Sequence, residues 1–266
     1  MRVWGKVFGF LFGFMLSKNI FGALLGLWLG HSFDRRRHLN FNFQSTDGDL
    51  NAQAAFLYTT FSVMGYVAKA KGRVNEHEIK FASQYMDKIG LKGELKQQAQ
   101  DAFREGKLAG FPLEQRIAKF MESAKGRHDL ILMFLEIQIQ LALADGVLVT
   151  EEKDALRQIA TLLGVSAQEL DRLLDMISAG AQFHGHQSGR SSQPSPKHQL
   201  ASAYKLLGVE KGDDKKTIKK AHRKLMSQHH PDKLVAKGLP PEMMNDAKQK
   251  AQDIQAAYDL IMANVD

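Results

Sequence analysis

The stretch SQHHPDK, residues 227–233, decides the fold of the C-terminal part of the chain. A residue that precedes a proline avoids the helical region, so His230 must leave any helix that comes before it. Pro231 fixes its own φ and has no amide proton, which stiffens the chain at that point. We therefore predict that His230, Pro231 and Asp232 form a stiff loop tip that projects just past a helix.

The segment before this loop predicts a helix with one basic face. Asp213 or Asp214 is a suitable N-cap, and the helical pattern runs to about Gln228. Its cations form two adjacent rows with i, i+4 spacing, which together make one continuous surface. The rows consist of Lys215, Lys219 and Arg223, and of Lys216, Lys220 and Lys224. The face expected to be buried carries Ile218, Ala221, His222 and Leu225.

Cations along a helix are often no more than a solvated face, so the basic rows indicate a partner only together with the loop and with the helix after it. This further helix is predicted from about Pro241 to Met262. Its packing side carries Ala247, Ala251, Ile254, Ala257, Tyr258 and Ile261.

The order of basic helix, His-Pro-Asp loop and long helix is highly specific. TIKKAHRKLMSQHHPDKL followed by KAQDIQAAYDLI resembles the J domain of Hsp40-type co-chaperones over nearly all of residues 200–266. The resemblance implies a partner, an Hsp70 chaperone, whose ATPase the domain stimulates. It also implies which residues bind Hsp70, namely His230, Pro231, Asp232, Lys233 and the six cations of the basic rows.

Three J-domain positions depart from the residue common in that family. His222 replaces a tyrosine and Ala251 replaces a phenylalanine, so a smaller core is expected. His229 stands where an aromatic residue is often found, and we expect it to pack in its place. None of the three is among the residues expected to bind Hsp70.

The first part of the chain predicts a membrane anchor. Residues 7–29 are rich in Phe and Leu, and about 20 apolar residues span a bilayer core. Arginines 35–37 come directly afterwards, and clustered arginines stay on the cytoplasmic side. We expect a short periplasmic N-terminus at 1–6, a transmembrane helix at 7–30 and a basic juxtamembrane linker at 31–49. The resulting location is the inner membrane of a bacterium, with most of the chain cytoplasmic.

The alternatives for this segment are a cleaved signal peptide and a buried helix. A signal peptide carries its charge before the apolar core and a small-residue cleavage site after it, whereas here the strong charge lies after the core. Lys18 lies within the span, where a charge costs roughly 3 kcal/mol. It is expected to reach the interface, to face a partner helix, or to mark a shorter, tilted segment.

Glycines recur four residues apart in the same segment, and such rows permit close packing of membrane helices. They are Gly5, Gly9 and Gly13, and then Gly22, Gly26 and Gly30. The rows would therefore permit a homodimer through the transmembrane helix.

Residues 50–178 predict a helical domain with an internal repeat. AKGRVNEHEIKFA (70–82) aligns with ADGVLVTEEKDAL (144–156), and in each copy a glycine ends one helix before Asn75 or Thr150 caps the next. The pattern resembles TerB-like domains of tellurite-resistance proteins, whose halves each carry an A-D-G…E motif. The second copy has Asp145 where the first has Lys71. The domain is interpreted as a binding module for an unknown membrane-proximal protein or ligand.

Two groups of residues are candidates for metal sites. Asp145, Glu151 and Glu152 form an acidic cluster, but acids at a helix start are more often caps. Residues 179–199 are rich in Gly, Ser, Gln and Pro and predict a flexible linker. Its histidines, His184, His186 and His198, would make only a weak site on a mobile chain. We therefore predict neither a metal nor another cofactor.

Composition and charge agree with this division. The chain of 266 residues has no cysteine, which excludes disulfides, a catalytic thiol and thiolate metal sites. Of the net charge of +7, residues 1–40 carry +5 and residues 200–266 carry +3. The excess thus lies at the two ends, which does not fit a nucleic-acid binder. No catalytic group of residues stands out, so no enzyme is predicted.

The complete order is all-α, with a single transmembrane helix, a TerB-like domain, a linker and a C-terminal J domain. It resembles the DjlA family, the membrane-anchored DnaJ-like proteins of Gram-negative bacteria. The resemblance implies a co-chaperone that recruits cytosolic Hsp70 of the DnaK type to a membrane-proximal target, in envelope or capsule signalling. The alternatives are a membrane signalling adaptor, whose TerB-like domain binds the key ligand, and a metal-buffering protein.

Overall fold

The structure is a computed structural model that describes residues 48–124, 126–187 and 196–265. The described residues all belong to one compact unit, Asp47–Asp266. The predicted transmembrane helix, the six glycines of the two rows and Lys18 lie outside the described residues. Within the described part, no helix combines the length and the apolar character needed to cross a membrane.

The middle domain is built from α-helices, as predicted. Two of them, α1 and α5, are largely buried, and α1 packs most extensively against α3, α4 and α5. The helices are α1 (Gly48–Lys69), α2 (Glu76–Lys88), α3 (Gly93–Gly106), α4 (Leu113–Ala124), α5 (His128–Ala142), α6 (Thr150–Leu162) and α7 (Ala167–Gln187).

Aromatic side chains form the centre of this domain. The rings of Phe56 on α1, Phe120 on α4 and Phe134 on α5 are all buried. The Phe120 and Phe134 ring centroids lie 4.7 Å apart, and Phe56 lies 5.6 Å from Phe120. The core therefore joins α1 to two consecutive helices, α4 and α5, that lie more than 40 residues further along the chain.

Helices α1 and α3 cross at a pair of glycines. A Cβ atom on Gly65 would lie 2.1 Å from the backbone oxygen of Phe103, and one on Gly106 would lie 1.7 Å from that of Ser62. No side chain fits at such distances, so the two helices approach this closely only because both positions are glycine.

The C-terminal domain consists of α8 (Pro196–Leu207), α9 (Lys215–His229), α10 (Pro231–Ala236), a 3₁₀ turn (Pro241–Met243) and α11 (Met244–Met262). Asp214 is the N-cap of α9, since its Oδ1 accepts a hydrogen bond of 2.8 Å from the Thr217 amide. The domain's core contains Leu206, Ile218, Leu234, Leu239, Ile254 and Ile261.

The flexible linker predicted at 179–199 is helical at both of its ends. Helix α7 continues to Gln187, and α8 already begins at Pro196. The reason is tertiary: α7 packs along α8, Ala179 is buried, and Gly180 lies against the Leu206 side chain. Burial of this face overrides a composition that by itself favours a solvated chain.

Candidate functional site

The His-Pro-Asp segment lies where α9 ends and α10 begins. His230 is in the extended region, with φ −66° and ψ 120°, and therefore leaves the helix as predicted. Pro231 occupies the first turn of α10, where its missing amide proton costs no hydrogen bond. The prediction of a loop tip is thus corrected in one respect, because Pro231 and Asp232 start a short helix. The side chains of His230 and Asp232 are exposed.

Short-range contacts hold this segment against the end of α9. The Lys233 ammonium donates a hydrogen bond of 2.9 Å to the Ser227 hydroxyl, which spans the turn. Leu234 is fully buried, and its amide donates to the backbone oxygen of His230 at 3.0 Å. The backbone that carries the exposed His230 and Asp232 is therefore held in place by the buried Leu234 and by the hydrogen bond between Lys233 and Ser227.

The predicted basic face is exposed in full. All six cations of the two rows are solvent-exposed: Lys215, Lys216, Lys219, Lys220, Arg223 and Lys224. On the other side of α9, Ile218 is fully buried, whereas Ala221, His222 and Leu225 are only half-buried. The basic face thus runs along α9, and the His-Pro-Asp segment follows directly at the end of that helix.

His222 packs against helix α11. Its ring stacks on that of Tyr258 with 4.2 Å between centroids, and its Nε2 lies 3.1 Å from Gln255 Oε1. Ala251 is buried, as expected for a residue on the packing side of α11.

Three family models match the chain in the predicted order. Residues 1–49 match the co-chaperone DjlA transmembrane domain, residues 58–175 the tellurite resistance protein TerB, and residues 202–265 the DnaJ domain. Curated relatives match over the full length. Co-chaperone protein DjlA of Yersinia pestis is 50% identical, over 98% of either chain. The protein of the same name from Escherichia coli K12 is 48% identical, over 98% of this chain and 97% of its own.

The chain belongs to the DjlA family of co-chaperones. The resemblance drawn from the sequence is thereby confirmed, and so is the order of membrane segment, TerB domain and J domain. The family supports a membrane-anchored protein, and its J domain implies an Hsp70 partner. No solved structure matches the chain.

The two repeats of the TerB-like domain meet at Lys71. Its ammonium lies 2.7 Å from Glu152 and 3.0 Å from Glu78, both nearly inaccessible to solvent, and 3.3 Å from Asp145. Burial lowers the pKa of Lys71, but hydrogen bonds from its ammonium to Glu152 and Glu78 raise it by more. The residue that departs from the repeat therefore supplies the positive charge between the two halves.

The caps expected in the repeats differ between the copies. Asn75 caps α2 as predicted, in a complete capping box with Glu78. Thr150 does not cap α6; Val149 is the N-cap residue, and its amide donates to Glu152 Oε2 at 3.3 Å. Among the described residues, no group of three or more His, Asp or Glu side chains is arranged to hold a metal ion.

His229 is buried, but its environment is not the one expected. It packs partly against the middle domain, where its Nε2 lies 3.5 Å from Glu136 Oε1. Burial lowers the pKa of His229, and the nearby Glu136 carboxylate opposes this only in part. A contact between residues so far apart in the sequence leaves no local pattern, so sequence reasoning missed it.

Proposed function

We propose that this co-chaperone binds a cytosolic Hsp70 of the DnaK type through its J domain and stimulates the ATPase of that partner. The observation that carries the proposal is the exposed pair His230 and Asp232, on a fixed turn at the end of a helix that carries six exposed cations. Lys233, tied to Ser227 at the same turn, completes the surface.

The stimulation needs no chemistry on this chain. A ligand shifts a two-state partner only by binding one of its states more tightly. The His-Pro-Asp segment would favour the state of Hsp70 that hydrolyses ATP, and the basic face would steer the encounter toward an acidic surface. The protein thus acts as a binding partner, and we do not propose an enzyme activity or a cofactor.

Anchoring would set the place where Hsp70 works. The arginines at 35–37 favour an N-terminus in the periplasm and the two folded domains in the cytoplasm, at the inner membrane. Attachment raises the effective concentration of the recruited Hsp70 near its target. The TerB-like domain would select that target, and the family resemblance favours envelope or capsule signalling. The glycine rows would allow a homodimer in the membrane.

The test is single-turnover ATP hydrolysis by DnaK, with the full chain in lipid nanodiscs. We expect the parent to accelerate hydrolysis and His230→Gln to lose the acceleration, because the exposed imidazole is removed from the turn. His198→Gln is the matched control, since His198 is exposed on α8 of the same domain. Equal acceleration by His230→Gln and the parent would contradict the assigned role of the segment.

A further inference from the structure

The middle domain and the J domain contact each other through charged side chains and one buried histidine. On the middle domain these lie on α5 and α2; on the J domain they lie at the end of α9, just after α10 and on α11. The contacts form three pairings.

The first pairing is centred on Glu136, a carboxylate that is 4% exposed on α5. Two J-domain groups face its two oxygens: His229 Nε2 lies 3.5 Å from Oε1, and Lys250 Nζ lies 3.6 Å from Oε2. A buried carboxylate is costly unless charged or polar groups compensate it. Part of the compensation for Glu136 therefore comes from the other domain.

The second pairing lies two turns earlier on the same face of α5. Asp129 forms an ion pair with Lys237, the residue directly after α10. Next to it, the Arg127 guanidinium covers Gly238, where a Cβ atom would lie 2.9 Å from Nη1. Gly238 has φ +90°, a backbone conformation that favours glycine. The turn at Gly238 therefore lies in contact with Arg127 of the middle domain.

The third pairing joins α2 to α11. Asp246, whose side chain is 11% exposed, forms an ion pair with Lys88. Its Oδ2 also accepts a hydrogen bond of 3.2 Å from the hydroxyl of Tyr85, which is buried. This pairing reverses the polarity of the other two, because here the J domain supplies the acid.

The positions of the first two pairings matter most. His229 and Lys237 stand immediately before and after the segment His230–Ala236, so α5 holds that segment from both sides. Of the residues expected to bind Hsp70, Pro231 is half-buried, and the others, including His230 and Asp232, remain exposed in this arrangement. Contact with the middle domain and presentation of the His-Pro-Asp segment are therefore compatible.

We propose that the middle domain is the docking partner of the J domain within this chain. Asp129 and Glu136 are positioning residues that hold the His-Pro-Asp segment in place for Hsp70. This positioning role, unlike the docking, rests on the proposed function. A segment ordered before binding loses less conformational freedom when the complex forms. Docking therefore strengthens the association with Hsp70 and leaves the maximal stimulation unchanged.

Docking itself is tested by a distance measurement on the full chain. Because the chain has no cysteine, Ala118→Cys on α4 and Gln252→Cys on α11, both exposed, provide two unique positions for spin labels. In nanodiscs, double electron–electron resonance should give one narrow distance distribution. It should broaden in Asp129→Asn/Glu136→Gln, and also in Lys237→Gln, which changes only the J-domain side.

The matched control is Glu122→Gln/Asp154→Asn, which removes the same two charges from exposed sites of the middle domain. Its distance distribution should equal that of the parent. A broad distribution in the parent, or a narrow one in both Asp129→Asn/Glu136→Gln and Lys237→Gln, would overturn the docking.

The positioning role is tested by titrating each protein into the DnaK single-turnover assay. In Asp129→Asn/Glu136→Gln, the concentration that gives half of the maximal stimulation should rise several-fold, with the maximum itself unchanged. The positioning role would be overturned if the half-maximal concentration were unchanged, or if only the maximal stimulation fell.

Failure of the proposed function would look different. A narrow distance distribution together with no stimulation by the parent would refute Hsp70 activation and leave the docking intact. His230→Gln should lose stimulation and keep the parent's distance distribution, since His230 is not part of the three pairings.

Discussion

Among single residues, Lys71 has the most unusual surroundings. Its ammonium is shared by Glu78 and Glu152, which are equivalent residues of the two repeats and have 1% and 0% of their side chains exposed. Burial raises the pKa of Glu78, and Lys71 opposes that rise. The Lys71 ammonium therefore compensates part of the negative charge of two carboxylates that would otherwise be buried at high cost.

Replacing Lys71 with methionine should destabilise the protein strongly. Removing one partner of a buried ion pair leaves an uncompensated charge and costs about 3–5 kcal/mol. The free energy of unfolding in urea measures the change.

The control for this substitution is Lys80→Met, which removes an exposed lysine of α2 and should change stability by no more than about 0.5 kcal/mol. Equal unfolding free energies for the two variants would show that the ion pairs of Lys71 with Glu78 and Glu152 do not contribute to stability.

Among the elements, the crossing of α1 and α3 depends on two glycines. Gly106→Ala places a methyl group where the Ser62 backbone oxygen lies 1.7 Å away, and that oxygen belongs to a rigid helix. Overpacking of this kind typically costs 1–3 kcal/mol, so we expect a loss of about 3 kcal/mol in a urea titration. Gly212→Ala, at an open position in the J domain, should be neutral; a comparable loss there would refute the steric explanation.

Helix α9 carries the charge-dependent part of the proposed interaction. Lys219→Glu/Lys220→Glu should slow the association with DnaK and weaken its dependence on salt, because steering by exposed charges is screened by ions. Lys211→Glu/Lys248→Glu makes the same charge change at exposed positions of the J domain away from α9. Stopped-flow association rates at several salt concentrations compare the two, and identical salt slopes would mean that net charge alone matters.

The features of these elements that could be predicted from the sequence are local. Pro231 determines the end of α9 through its own ring, and Asp214 caps the helix through a residue three positions away, so both features depend on neighbouring residues. The glycine crossing brings Gly65 against Phe103, and the extension of α7 depends on packing against Leu206. Such contacts join distant parts of the chain and leave no local pattern. The composition of residues 179–199 therefore predicted a longer linker than the structure has between α7 and α8.

At the scale of the whole molecule, the contact between domains should depend on pH. Burial holds the pKa of His229 below its ordinary value. Part of the surroundings of His229 belongs to the middle domain, so we expect separated domains to take up a proton at His229 more readily than docked ones. Docking is then favoured above about pH 6.5 and weakens as the pH falls below that value. The carboxylates of Glu136 and Asp129 reduce this effect, and the ammonium of Lys250 adds to it.

The spin-label distance distribution, measured between pH 8 and pH 5, checks this prediction. It should broaden toward acid in the parent, and much less in His229→Asn, whose side chain does not titrate. A parent distribution that sharpens toward acid would show that attraction between a protonated His229 and Glu136 outweighs burial.

The interface also limits how far the molecule is modular. A chimera in which residues 196–266 are replaced by the J domain of another co-chaperone would keep a His-Pro-Asp motif and a basic helix. It would lack Lys250, Lys237 and Asp246, which in this protein pair with Glu136, Asp129 and Lys88, respectively. The transplanted domain would keep its Hsp70-binding surface but lose its contact with the middle domain. J domains of this kind are therefore not interchangeable at the surface that faces α5.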